Sequence, residues 1–101
     1  MGTVEYVVLL DEGVRKRHFH RYEKGEVKEF VIQLEILRGN KWRSVIRYDC
    51  SHKYAHIDRY YPDGRRKKIS LDLGFNEALI FADEDVRENW ERYIEEFCRR
   101  Q

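Results

Sequence analysis

The chain has 101 residues, a length that makes one domain of ordinary size and excludes a multidomain enzyme. Charged residues make up 39% of it, well above the roughly 25% usual in globular proteins, yet 20 basic side chains against 19 acidic ones leave a net charge of only +1. That balance excludes both a uniformly polycationic nucleic-acid binder and an acidic disordered tail.

In chain order, Val4 to Leu10 is a short apolar run ended by Asp11-Glu12-Gly13, the pattern of a strand and a turn. Arg15 to Glu23 alternates basic, histidine and aromatic residues and breaks at Lys24-Gly25-Glu26. Val27 to Arg38 is the clearest strand, with Phe30, Ile32, Leu34 and Ile36 on one face and Lys28 interrupting that series at its start. Gly39-Asn40 marks a tight hairpin. Lys41 to Cys50 then sends Trp42, Ser44, Ile46, Tyr48 and Cys50 one way and Arg43, Val45, Arg47 and Asp49 the other, which predicts Trp42, Ile46 and Tyr48 together in the core. Tyr54 to Tyr61 alternates again, Pro62-Asp63-Gly64 forms a turn, and Arg65 to Leu71 is a last strand.

From Phe75 the period lengthens to that of a helix. Leu79, Ala82, Val86, Trp90, Tyr93 and Phe97 form one apolar stripe with Ile94 beside it. The other face carries Glu88 with Arg92, Glu95 with Arg99 and Glu96 with Arg100, each in the favourable order four residues apart. About two dozen helical residues would span about 36 Å, longer than a domain with a radius of gyration of about 13 Å can hide end-on. Such a helix must lie along the sheet or project into a partner. The expected fold is α+β: a single domain over 1–101, with a curved antiparallel β-sheet meander of five or six strands over 1–71 and one long C-terminal α-helix over 75–99 packed on one face.

No apolar run approaches the roughly 18 residues of a membrane span, and the first residues lack the order of a signal peptide, so no membrane partner and a cytoplasmic location are expected. Cys50 and Cys98 lack metal-type spacing and are expected to be free thiols. Two Gln, three Asn and one Pro beside a heavy Glu, Lys and Arg load point to a thermophilic source. The six glycines sit at turns and form no phosphate loop, so nucleotide-dependent chemistry is not expected; no familiar metal signature occurs, and no cofactor or metal is anticipated.

The candidate chemistry rests on histidine. His18 and His20 are two apart on one strand, so they share a face; His56 and Asp58 repeat the arrangement, His52 lies just before them, and Arg47 with Asp49 is a third pair. If those strands adjoin in register, imidazoles, carboxylates and a guanidinium gather on one face as an acid–base site. An imidazole suits that task because both its protonation states coexist near neutral pH. Alternating His and charged residues also describe a merely solvated sheet face. A second candidate surface is Tyr60 with Arg59, Arg65, Arg66, Lys67 and Lys68, since cations holding phosphates beside rings that stack on bases are the means of single-stranded RNA binding. By segment, residues 1–13 carry a charge of −3, residues 14–68 carry +9 and residues 69–101 carry −5, so the near-neutral total conceals a basic sheet and an acidic helix.

Over Val45-Ile46-Arg47-Tyr48-Asp49-Cys50-Ser51-His52-Lys53-Tyr54-Ala55-His56-Ile57-Asp58-Arg59 and Tyr61-Pro62-Asp63-Gly64, the sequence resembles the TumE-type family of small prokaryotic toxin components of toxin–antitoxin pairs. The likeness lies in a β-rich body, an Arg-aromatic-Asp strand running into a His-containing turn, and a final helix; here Cys50-Ser51 occupies the turn and one histidine, His52, precedes His56. The resemblance implies a toxin-like component with an antitoxin-like protein as partner. Two readings follow. In one, His18, His20, His52 and His56 with Asp49, Asp58 and Arg47 form a metal-independent RNA-cleaving site; in the other, the domain binds RNA or a protein, or forms a homodimer through the long helix, without turnover.

Overall fold

A computed structural model describes residues 1–51 and 53–99. The alternating residues form six strands, β1 (Gly2–Asp11), β2 (Val14–Glu23), β3 (Glu26–Arg38), β4 (Lys41–Asp49), β5 (His56–Tyr60) and β6 (Arg66–Ser70), followed by helix α1 (Phe75–Arg99). The strands lie in the sheet in chain order, each antiparallel to the next. The α+β architecture is therefore the one the sequence implies. Tight turns suit such a meander: Lys24 and Gly25 both take positive φ (51° and 78°), as the turn matching strand twist requires, and Gly39 does so at 63°.

Helix α1 packs along β3 and β4. The molecule measures 42 × 25 × 22 Å. Ala78, Ala82, Val86, Tyr93 and Phe97 are buried, while Leu79, Trp90 and Ile94 are only partly covered. Two alanines at the near end let the backbone approach the sheet closely. Beneath lie Phe30, Ile32, Leu34, Ile46 and Tyr48, all nearly inaccessible, and burying each such side chain contributes about 1.5–3 kcal/mol. Arg100, expected to pair with Glu96, lies outside the described residues; among the described residues Glu96 accepts from Arg92 at 3.3 Å and from Arg59 of β5 at 2.9 Å. No helix among the described residues is long and apolar enough to cross a membrane.

Polar contacts complete the docking of the helix. Lys16 of β2 reaches Asp83 at 2.7 Å, and Arg38 donates to the Cys98 sulfur at 3.0 Å. The Tyr48 and Tyr93 hydroxyls both donate to Asp85, which also accepts from Asn89. Burial, then the neighbouring Asp85 carboxylate, pushes the Tyr48 phenol far above its ordinary range, so it remains a proton donor to Asp85. The acidic helix is thus matched to cations of the basic sheet.

Two irregularities change which side chains face the helix. Between β2 and β3 the register shifts so that Val27, not Lys28, pairs with Tyr22 and packs against the core. That shift explains the charge which interrupts the Phe30 series. Between β3 and β4 a second shift leaves Val45 without an opposite residue, and beyond it the faces exchange. Trp42 pairs with Leu37 on the helix-free side, where Arg15 stacks over its ring at 3.9 Å, and Arg43 turns toward the helix, 5.7 Å from Phe97. The expectation that Trp42 joins Ile46 and Tyr48 in the core is corrected by this bulge; Ile46 and Tyr48 do lie there.

Candidate functional site on the helix-free sheet face

Antiparallel pairing places opposite residues on the same face, so the register defines rows of side chains running across the strands. On the face away from the helix one row reads Val7, Arg17, Gln33, Arg47, Asp58, Lys68, from β1 to β6 without interruption. The next reads Glu5, Phe19, Val31, Asp49, His56, Ser70. Beside a cavity of about 690 Å³, lined by Glu5, Val7, Arg17, Phe19, Val31 and Arg47 among others, these rows supply apolar patches and two guanidinium groups.

At the β4–β5 end the rows converge on three buried ionisable residues. Asp49, His56 and Asp58 are 3%, 1% and 3% exposed. His56 Nε2 lies 2.7 Å from Asp49 Oδ1 and 3.8 Å from Asp58 Oδ2. Its Nδ1 lies 3.3 Å from the Tyr54 carbonyl oxygen, to which it donates when that nitrogen carries a proton. Asp49 is well supported: Arg47 Nε donates to Oδ2 at 2.7 Å, and the Ser51 backbone N–H and hydroxyl donate to Oδ1 at 3.2 and 3.1 Å. Burial opposes its ionisation, but these hydrogen bonds and the imidazole outweigh the burial and hold its carboxyl below the usual range. Asp58 is poorly supported. Arg66 approaches Oδ2 only to 4.0 Å, and Oδ1 is buried without a hydrogen-bond partner among the described residues.

Asp49, His56, Asp58 and Arg47 are therefore brought together as the sequence pairs suggest, with Arg66 and Lys68 at their edge. His18 and His20 are not part of this group. They lie on β2 with β3 between them and β4, and their side chains belong to the opposite face, where His18 pairs with Ile32 and stacks on Tyr6 at 4.5 Å. The expected cluster on one face is thereby corrected to two separate histidine sites. His18 Nε2 and His20 Nδ1 are 2.8 Å apart and share one hydrogen bond; burial first, then His20 and Lys16, depress the His18 pKa against the opposing pull of Asp83. His52 lies outside the described residues.

The second candidate surface is also divided. Register places Tyr60, Arg66 and Lys68 on the helix-free face and Arg59 and Lys67 on the other. Arg59 is engaged by Glu96 and by the Tyr93 ring at 5.0 Å, and Arg65 pairs with Asp63 at 2.7 Å. Neither cysteine forms a disulfide. The Cys50 thiol is pushed up chiefly by its burial, which disfavours the nucleophilic thiolate.

Residues that composition and motif reading overlooked complete the face: Arg15, Arg17, Gln33 and Glu35. Arg15 Nε donates to Glu35 Oε1 at 2.6 Å, Gln33 donates to Glu35 Oε2, and Arg47 reaches Gln33 at 3.5 Å. The available signal was Gln33 and Glu35, two polar residues at period two inside an otherwise apolar strand. An arrangement of this kind, with carboxylates and an imidazole at the floor and cations at the rim, can bind an anion, exchange a proton or hold a cation.

No curated protein and no solved structure matches the chain, and the toxin-component resemblance gains no support from these comparisons. One family model matches residues 1–101, and the chain belongs to that family, described as a domain of unknown function (DUF7718).

Proposed function

We propose that the helix-free sheet face binds single-stranded RNA. The observation that carries this reading is the row Val7, Arg17, Gln33, Arg47, Asp58, Lys68, in which a cation recurs on every second strand, β2, β4 and β6. Strands are about 4.8 Å apart, so these cations recur about every 10 Å along a line perpendicular to the strands. A polyanion laid across the sheet would meet all three, while Phe19 in the adjoining row offers a ring on which a base can stack.

The test is fluorescence anisotropy of a labelled single-stranded RNA oligonucleotide across a salt series. Three phosphate contacts predict a log–log salt slope of about −2, at roughly 0.7 per neutralised phosphate on a single strand. Arg17→Ala and Lys68→Ala should each weaken binding and flatten the slope by about 0.7. A slope unchanged in both variants, or no binding at low salt, refutes the proposal.

A second reading, RNA cleavage by a toxin-like component, is favoured by the grouping of Asp49, His56 and Asp58 on the same face. His56 is 1% exposed, so catalysis would require its covering side chains to move, and for that reason binding is the primary reading. Labelled RNA incubated with the parent and with His56→Ala, with and without EDTA, decides it: cleavage equal in both proteins excludes this chemistry.

A further inference from the structure

We infer that Asp49, His56 and Asp58 form a binding site for a divalent first-row transition-metal ion, Zn²⁺ or Mn²⁺, independently of whether RNA binds the same face. One ligand atom from each residue lies within 4.8 Å of the others, and all three residues are buried. Zinc binds nitrogen and carboxylate oxygen at about 2.0–2.2 Å, which sets ligand atoms roughly 3.0–3.5 Å apart. The separations from His56 Nε2, 2.7 Å to Asp49 Oδ1 and 3.8 Å to Asp58 Oδ2, bracket that range, so small side-chain shifts would bring these two pairs to it.

Two further observations point to a cation. Binding of a cation requires the tautomer with its proton on Nδ1, directed at the Tyr54 carbonyl 3.3 Å away, in which the Nε2 lone pair faces the two carboxylates. Anchoring of the distal ring N–H on a backbone carbonyl is how metal-ligating histidines are commonly held. The second is Asp58, whose buried Oδ1 has no hydrogen-bond partner among the described residues. A proton on Nε2 would engage Asp49 alone, whereas a divalent ion would engage both carboxylates. Arg47 holds Asp49 through its other oxygen, Oδ2, and Ser51 donates to Oδ1 itself, so the carboxylate is fixed in place as second partners fix a ligating group. Arg47 and Arg66 flank Asp49 and Asp58 with side chains that are 37% and 57% exposed, so their rotation offers an ion a way in.

The experiment is isothermal titration of EDTA-dialysed, metal-free protein with ZnCl₂ and, separately, MnCl₂. One ion per chain is expected for at least one metal, with affinity at least tenfold lower in Asp58→Asn and unchanged in the His18→Gln/His20→Gln double variant. Because Asp58→Asn is nearly isosteric, circular dichroism will show whether it retains the parent fold. If it does not, the parent alone remains decisive: long-range proton–nitrogen spectra should show the His56 Nε2 resonance moving on addition of zinc. Absence of saturable one-to-one binding, retention of full affinity in folded Asp58→Asn, loss of binding in the His18/His20 variant, or an unmoved Nε2 resonance overturns the inference. RNA anisotropy measured in EDTA reports on the RNA proposal alone, so the two can fail separately.

Discussion

Removing the Asp85 carboxylate should separate the helix from its sheet more effectively than any change on the exposed helix face. Asp85→Ala deletes the acceptor of the Tyr48 hydroxyl, the Tyr93 hydroxyl at 2.7 Å and the Asn89 amide at 2.8 Å. Asn89 is half-buried and can turn to water, but Tyr48 is fully inaccessible, and its hydroxyl would lose its charged acceptor and keep only the neighbouring Tyr93 hydroxyl. An orphaned buried donor costs about 1–3 kcal/mol, and hydrogen bonds to a charged group contribute about 1.5–3 kcal/mol each; with partial relaxation at Tyr93 the loss should be about 3–5 kcal/mol. At about 2.1 cal/mol/K per residue, unfolding of a chain this long carries about 0.2 kcal/mol/K, so Tm should fall by roughly 15–25 °C. Thermal denaturation followed by circular dichroism measures it. The Tyr48→Phe/Asp85→Ala double variant removes the hydroxyl as well as its acceptor, so it should be less destabilised than the two single variants together by at least about 1 kcal/mol. A fall in Tm below about 5 °C for Asp85→Ala, or strict additivity in the cycle, would refute the reasoning.

The remaining predictions concern local features. Depression of the His18 pKa, caused first by burial and then by His20, means that the unfolded chain binds a proton there at a higher pH than the folded chain. The stability contributed by keeping His18 neutral is therefore present above its ordinary value near 6.5 and is lost as pH falls below it. Tm of the parent minus Tm of His18→Gln should accordingly shrink between pH 7 and pH 5, and a difference that grows toward acid would contradict the assignment. At the β2–β3 turn, Lys24 is held at φ 51°, a conformation costing a non-glycine residue about 1–2 kcal/mol. Asn tolerates it better, so Lys24→Asn should raise Tm by roughly 5 °C, and a lowered Tm would show that the Lys24 side chain has an overlooked structural role.

Much of the architecture was legible in the residues themselves. The alternation of residues 4–71, the turn residues at Lys24-Gly25 and Gly39-Asn40 and the longer period after Phe75 each follow from local sterics and from the need to bury one face, so a meander of five or six strands and a helix could be read without tertiary information, and the structure has six. Side-chain direction within one strand is just as local: His56 with Asp58, and Arg47 with Asp49, share a face wherever those strands lie. What only the folded chain decided is which pairs meet across strands. A single unpaired residue at Val45 moves Trp42 out of the core and Arg43 toward the helix, because one extra residue reverses every direction beyond it. The ordering of β2, β3 and β4 separates His18 and His20 from His56, and the register aligns Arg17, Gln33, Arg47, Asp58 and Lys68 into one row. The charge segments were visible in composition, but which cations are neutralised by the helix was not: Lys16 and Arg59 find Asp83 and Glu96, while Arg17 and Lys68 stay on the far face. Periodicity is a property of each segment, whereas register is chosen by the packing of all segments at once, and the candidate site is built from register.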